Sequence, residues 1–222
     1  MASVSSHGGG AAANAAGVPI RTCARVYGRR DDLDRETMFI SGNAMELVPV
    51  GQKDGERHTL TRIYDVHASD GEVCEEEVGT QLLRPLIAGE NATLLVFGHH
   101  RAGHTNLHAE LAHAAVAGLL TLLEAPAEGT ISHEWKLSAR YARAILGSDR
   151  MCDLFGGGER ELRVLRDAEA LGGVVLEPPG LAEKPITSLS AFDDLFRFAM
   201  KRLAAHKPPP PSSLLTLELT QS

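Results

Sequence analysis

The sequence predicts an α/β domain, with helices packed on a mixed or mainly parallel sheet, on three observations. Segments of strand-like alternation take turns along the chain with segments of helical period. "ATLLVF" (92–97) is a continuous apolar run of strand length, the pattern of a parallel strand covered on both faces. It leads into "GHHRAGHT" (98–105), a glycine-bounded loop, and then into helical sequence. With 222 residues, 43% hydrophobic, 23% charged and 5% aromatic, the chain can bury a sizeable core and fits one domain better than two.

The elements follow in order. Residues 1–18, mostly Gly, Ala, Ser and Asn, have nothing to bury and are expected to form a disordered tail, leaving 19–222 as the folded domain. "IRTCARVY" (20–27) alternates like a strand and "GRRDD" ends it. "TMFISGNAMELVPV" (37–50) and "HTLTRIYDV" (58–66), separated by "GQKDGER", read as a hairpin-like excursion. Asp70 can cap a helix in which Val73, Glu77, Val78, Leu82 and Leu86 mix an apolar stripe with the acidic face "CEEE" (74–77), read as solvated, and which ends at "AGEN" (88–91). Past the loop, "LHAELAHAAVAGLLTLLEA" (107–125) is helical despite Gly118, and the first half of "ISHEWKLSARYARAIL" (131–146) reads as strand. "RELRVLRD" and "GGVVLEPP" look like short strands or a hairpin. "SLSAFDDLFRFAMKRLAAHK" (188–207) is the clearest helix, capped by Ser188 or Ser190, with Phe192, Leu195, Phe196, Met200 and Leu203 along one face. "PPPP" stops it, and "SLLTLELTQ" (213–221) closes as a strand.

Composition excludes several classes. No apolar run approaches the roughly 18–20 residues that cross a bilayer, and the start lacks the basic-then-apolar pattern of a signal peptide, so no membrane partner is expected and the chain is placed in the cytosol or nucleus. Cys23, Cys74 and Cys152 lie far apart in no CxxC pair and read as reduced structural thiols. A net charge of −7 argues against nucleic acid, because neutralising phosphates needs a basic face.

The chemistry concentrates in the loop. Gly98, His99, His100, Arg101, Ala102, Gly103, His104 and Thr105 match the phosphate-binding pattern G-x-x-x-x-G-K-[S/T] at every defined position except the lysine, which is His104. Backbone N–H groups of such a loop, with a helix N-terminus behind them, cradle phosphates. The lysine reaches the β- and γ-phosphates with a permanent charge, whereas histidine is shorter and mostly neutral at pH 7, so hydrolysis suffers more than binding. A second reading is a histidine-rich metal site. His99, His100, His104, His108 and His113 are clustered, His104 and His108 stand at i, i+4, and Glu110 is nearby. The bland alternative makes these histidines solvated loop and helix-face residues.

The run "RIYDVHASDGEVCEEEVGTQLLRPLIAGENATLLVFGHHRAGHT" (62–105) resembles the kinesin motor domain, which passes from a strand through an "E-V-F-E-E-V…P-L-V" helix and "G-Y-N" to a strand and "G-Q-T-G-S-G-K-T". "CARVY" is similar to that family's first strand, "MCDLF" to its "I-R-D-L-L", the run from Arg163 to Phe196 to its "L-x-I-R-E…G-G-V-Y-V" segment, and "SSLLTLELTQ" to the strand after its first switch. The resemblance implies a P-loop NTPase-like, kinesin motor-type fold: a central mixed sheet flanked by helices, incomplete at the C-terminal end. It also implies a nucleotide site for ATP or ADP with Mg, held weakly or lost, at residues 98–105 together with Arg25, and a microtubule or cytoskeletal partner in the cytoplasm.

Departures from the family shape the expectation. Beside the adenine the family has "R-x-R-P", whereas this chain has Arg25, Val26, Tyr27 and Gly28. In "HKPPPPSSLLTL" Ser212 and Ser213 remain, but the arginine and histidine of the first switch do not follow. No "D-L-A-G-S-E" second switch occurs, and two interior strands of the family's sheet have no counterpart. The chain is then part of a longer polypeptide, or another chain completes the sheet, or the sheet closes in a new order. The expected function is a divergent kinesin-like scaffold or regulatory module with little or no ATPase activity, and the alternative is an ATP-dependent microtubule motor fragment.

Overall fold

The computed structural model describes residues 21–26, 38–48, 54–97, 104–124, 135–145, 148–156, 161–163, 165–166, 175–176, 180–205 and 212–221. The expected tail at 1–18, most of the loop at 98–105 and the "PPPP" stop lie outside the described residues. The chain divides into two compact units, Met1–Ser69 with His99–Gly103, and Asp70–Gly98 with His104–Ser222.

The first unit holds β1 (Cys23–Arg25), β2 (Met38–Ser41), β3 (Ala44–Leu47), β4 (Glu56–Thr59) and β5 (Arg62–Tyr64). β1 and β5 are parallel, with Arg25 opposite Tyr64, and the Val26 N–H extends the ladder to the Tyr64 carbonyl at 2.9 Å. β2, β3 and β4 form an antiparallel excursion of three strands where the sequence suggests a pair, since 37–50 folds on itself and 58–66 is divided between β4 and β5. Its first turn is the two-residue Gly42-Asn43, and Gly42 takes a φ of +59° that a tight hairpin asks of glycine.

The second unit opens with α1 (Asp70–Cys74), a π-helical turn (Glu75–Thr80) and α2 (Leu83–Ile87). Helix starts at Asp70 as expected, with Asp70 and Glu72 favourably placed in its first turn. The "CEEE" segment is not a uniformly solvated face, however. The wider π turn rotates Glu77 inward beside Val78, leaving them 8% and 1% exposed.

Helix α3 (His104–Glu124) buries Leu107, Leu111, Ala115, Val116 and Leu119, a stripe at helical spacing. Gly118 lets α3 come close to α2, since a Cβ there would sit 2.3 Å from Leu83 Cδ1. The strands that follow are β6 (Trp135–Ala144), β7 (Arg150–Asp153), β8 (Glu161–Arg163), β9 (Leu165–Arg166), β10 (Val175–Leu176) and β11 (Lys184–Pro185); then come α4 (Leu189–Ala205) and β12 (Ser213–Gln221). β6 runs on to Ala144, into the second half of the ambiguous segment, and is not confined to the first half. On one side it pairs with β12 over nine residues, and on the other with β11 and β7. β9 and β10 make the expected hairpin. Helix α4 is capped by Ser188, whose Oγ accepts the Ala191 N–H at 3.2 Å, and it buries Phe192, Phe196 and Ala199.

One expected element is corrected. "ATLLVF" (92–97) forms no strand, and Leu95 and Phe97 are 78% and 84% exposed. An apolar run becomes a buried strand only where neighbours accept its backbone and cover both faces. Among the described residues no strand pairs with it.

Two polar anchors organise the second unit. Asp153, 2% exposed, accepts the N–H groups of Phe155 at 3.0 Å, Gly156 at 2.9 Å and Ala182 at 2.9 Å. Arg202 of α4 donates from Nη1 to the Leu154 carbonyl at 3.0 Å and also to that of Gly156, tying this turn to the helix. Tyr141, fully buried, stacks on Phe196 at 5.4 Å, and its hydroxyl meets Ser213 Oγ at 3.2 Å and Met200 Sδ at 3.6 Å. Burial pushes this phenol above the usual tyrosine range, with the Ser213 hydrogen bond opposing.

Asp153→Ala leaves three enclosed donors without their acceptor, so urea denaturation is expected to show a loss of about 3 kcal/mol with an unchanged slope. Tyr141→Phe is expected to cost about 1 kcal/mol at neutral pH. A tyrosine raised on folding contributes stability that is whole below its unfolded pKa and is lost as pH climbs through the usual tyrosine range toward the folded value. Denaturation midpoints measured at neutral and strongly alkaline pH should therefore fall further for wild type than for Tyr141→Phe.

Candidate nucleotide site

Of the loop predicted to hold phosphate, Gly98, His99, His100, Arg101, Ala102 and Gly103 lie outside the described residues. His104 and Thr105 are placed in backbone only, as the first two residues of α3. That placement carries chemical content. A helix of 21 residues begins at the lysine position, with no acidic residue in its first turn to oppose an anion. Its N-terminal N–H groups and their partial positive charge are the phosphate-binding part of such a site. Packing from Leu107 onward fixes the helix in the second unit.

Arg25, the predicted base-edge residue, lies on β1 of the first unit. Its Nη1 donates to the Asp65 carbonyl at 2.7 Å, and the Asp65 carboxylate in turn accepts the His67 N–H at 2.8 Å and the Ala68 N–H at 3.2 Å. Arg25 is thus committed to the turn after β5. The two serines kept from the first-switch pattern are also engaged in the fold. The Ser212 carbonyl accepts the Ala144 N–H at 3.0 Å, and the Ser213 hydroxyl bonds to Tyr141.

The histidines of the metal reading go to different places. His108 packs its ring 6.1 Å from Tyr141 and 5.9 Å from Phe196, inside the aromatic cluster. His113, five residues on, sets its Nδ1 2.9 Å from the Asp193 carboxylate of α4 at the surface. No group of three metal-ligating side chains forms among the described residues.

Tyr141 and Asp153 had no role in the sequence reading, yet they hold the unit that presents α3. Asp153 carried a legible signal, because an aspartate two or three residues ahead of the amides it accepts is ordinary turn chemistry. Tyr141 carried only its place in an alternating strand.

No protein-family profile matches the chain. Over 129 residues, 55% of this chain, it is 30% identical to the kinesin-like protein KIF22 of Mus musculus, covering 19% of that protein. Over 121 residues, 52% of this chain, it is 30% identical to KIF22 of Rattus norvegicus, covering 18% of it. The chain thus spans about a fifth of the length of these curated relatives. Among solved structures it is similar to residues 391–772 of KIF14, a dimer in the two-heads-bound state with AMP-PNP in complex with a microtubule; the TM-score is 0.67 at 17% identity, covering 91% of this chain and 61% of that one. Sequence and fold together relate the chain to the kinesin motor domain.

Proposed function

We propose that this chain is a kinesin-like, cytoskeleton-associated scaffold or regulatory module whose nucleotide loop turns over little or no ATP. The observation that carries the proposal is His104 at the head of α3, the position of the phosphate-binding lysine in an otherwise matching loop. A bound Mg-nucleotide would lie against Gly98–Thr105 and the α3 N-terminus. Its metal would supply charge neutralisation between phosphates, and the chain itself would supply backbone N–H groups and the helix end. What the loop lacks is a permanent cation at the β- and γ-phosphates, because histidine, unlike lysine, is not permanently charged near pH 7. Phosphoryl transfer depends almost wholly on positioning and charge stabilisation, so the loss falls on turnover more than on binding.

Microtubule association is carried over from the structural neighbour solved on a microtubule, and a place in the cytoplasm is part of the same proposal. Residues 19–222 form the partial motor-like domain in this proposal, and 1–18 form its tail. The competing proposal, an ATP-driven motor, makes His104 a working substitute for lysine.

Thermal unfolding of the purified chain with Mg-ATP, Mg-ADP and no nucleotide discriminates the two. A millimolar Kd in tenfold ligand excess stabilises by about 1.4 kcal/mol, well within detection. The expected result is a small or absent shift for wild type and a larger one for His104→Lys. Microtubule co-sedimentation with a phosphate-release assay is expected to show pelleting without stimulated ATP turnover. Turnover by wild type that disappears in Thr105→Ala would establish the motor instead.

A further inference from the structure

Among the described residues, Arg143 is a cation on the inner face of β6 without a counter-ion. Leu137, Ala139 and Tyr141 alternate along β6 as its buried face, and Arg143 continues that series. The register across the sheet sets it between two small neighbours, the buried Cys152 of β7 and Ser213 of β12. Its Nε is shut off from solvent with no hydrogen-bond partner, and among the described residues no carboxylate pairs with its guanidinium. The acids of the adjoining strands are engaged elsewhere. Asp153 lies opposite Ala142, on the other face, and accepts three backbone amides, while Glu161 pairs with Arg150 at 3.1 Å. An enclosed charge without a partner is costly, so its presence points to a partner that is not part of the chain.

The directions of the surrounding helices show what lies at this end of β6. His108 of α3 packs 5.9 Å from Phe196 of α4 and His113 reaches Asp193, so the two helices run antiparallel. Tyr141 stacks on Phe196, and its hydroxyl meets both Met200, one turn further along α4, and Ser213, the residue opposite Arg143. α4 therefore advances toward the Arg143 end of β6, and α3 points its N-terminus to that end. From His108, whose ring is 6.1 Å from Tyr141, one turn back of about 6 Å reaches His104. A parallel step of about 6.6 Å along β6 leads from Tyr141 to Arg143. The guanidinium and the free N–H groups at the head of α3 thus share one end of the unit, and the first turn of α3 holds no acid to compete.

We infer that Arg143 binds a phosphate-type oxyanion at the head of α3. A guanidinium offers phosphate oxygens a planar fork of donors and keeps its charge at every physiological pH, as histidine at position 104 does not. The inference rests on the reading of residues 98–105 as a phosphate loop. The sheet supplies a cation for holding phosphate, while the lysine's own contact to the transferred group stays absent.

The test is thermal unfolding of the 222-residue chain in sodium chloride, in sodium pyrophosphate at the same ionic strength, and in Mg-ATP. Wild type is expected to unfold at a higher temperature in pyrophosphate than in chloride, by a shift that grows with the logarithm of concentration. Arg143→Met keeps an unbranched side chain and removes the charge. It is expected to lose that shift, and in chloride to unfold above wild type, because an enclosed cation without a partner has gone. An Mg-ATP shift that is also lost in Arg143→Met assigns the anion to a nucleotide, whereas a pyrophosphate shift alone assigns it to a free inorganic anion. Should Arg143→Met fail to fold, titration calorimetry of Arg143→Lys decides, with pyrophosphate binding expected at least about tenfold weaker than to wild type. ATP turnover by a wild type whose pyrophosphate shift depends on Arg143 removes the silent-loop proposal and leaves this inference standing. A wild type that pyrophosphate stabilises no more than chloride overturns the inference and leaves the silent loop untouched. So does an Arg143→Met that is stabilised like wild type or is less stable than it in chloride, or an Arg143→Lys that binds as tightly.

Discussion

The ladder between β6 and β12 is the constraint on which the second unit depends. It joins residues 135–143 to 213–221 across more than sixty intervening positions, register by register from Ser213 opposite Arg143 to Gln221 opposite Trp135. Closing a loop of that size costs entropy that grows only slowly with length, and a nine-residue ladder with an apolar face offsets it. Tyr141 shows how the pairing and the core are one event. It lies opposite Leu215 in the ladder, its ring is stacked on Phe196 of α4, and its hydroxyl reaches Ser213 two residues along β12. Without β12 in place, the phenol would be buried with its best partner missing. Without α4, β6 would lose the cover that makes its burial favourable. Asp153 closes the other side by fixing the turn after β7, which Arg202 then ties to α4.

This arrangement explains what holds α3 in position for chemistry at its head. α3 packs its Leu107 to Leu119 stripe against α1, the π turn, α2 and α4, and its His108 enters the aromatic cluster around Tyr141. The first turn of α3 is thus oriented by side chains one and two turns further on, none of which belongs to the loop motif. A loop substitution such as His104 for lysine can therefore change the chemistry of the site with little effect on the fold. The motif and the scaffold are free to diverge separately.

Much of the scaffold was legible in the sequence, and the reason differs by element. α4 was clear because Phe192, Phe196 and Ser188 give both the period and the cap. β12 was clear because its leucines alternate between two proline- and polar-bounded ends. β6 was half legible, since "SARYARA" places arginines where a strand covered on both faces would not have them; the structure accommodates Arg140 by pairing it with Glu183 and Glu218. Two readings failed on information that periodicity does not carry. Glu77 turns inward because of a π turn, which shifts the face of a helix by a fraction of a turn. "ATLLVF" has the composition of a buried strand, but strand formation depends on neighbours supplied from elsewhere in the chain. Beside the candidate site, the helix that follows the loop was legible, and the engagement of Arg25 with the Asp65 carbonyl was not.

The unpaired run at 92–97 has strand composition, yet its backbone groups lack a ladder partner within the described residues. Leu95 and Phe97 stand exposed in it, so ordering it must precede any pairing and costs roughly 1–2 kcal/mol per residue. β12, by contrast, is already extended and held along its length by β6. The same reasoning bears on the loop that 92–97 leads into. Catalysis by a phosphate loop requires donors held in place before the reaction, and among the described residues next to the loop the element with fixed packing is α3. In the proposed reading, the missing lysine and the unpaired approach segment would both act against turnover, one by charge and the other by position.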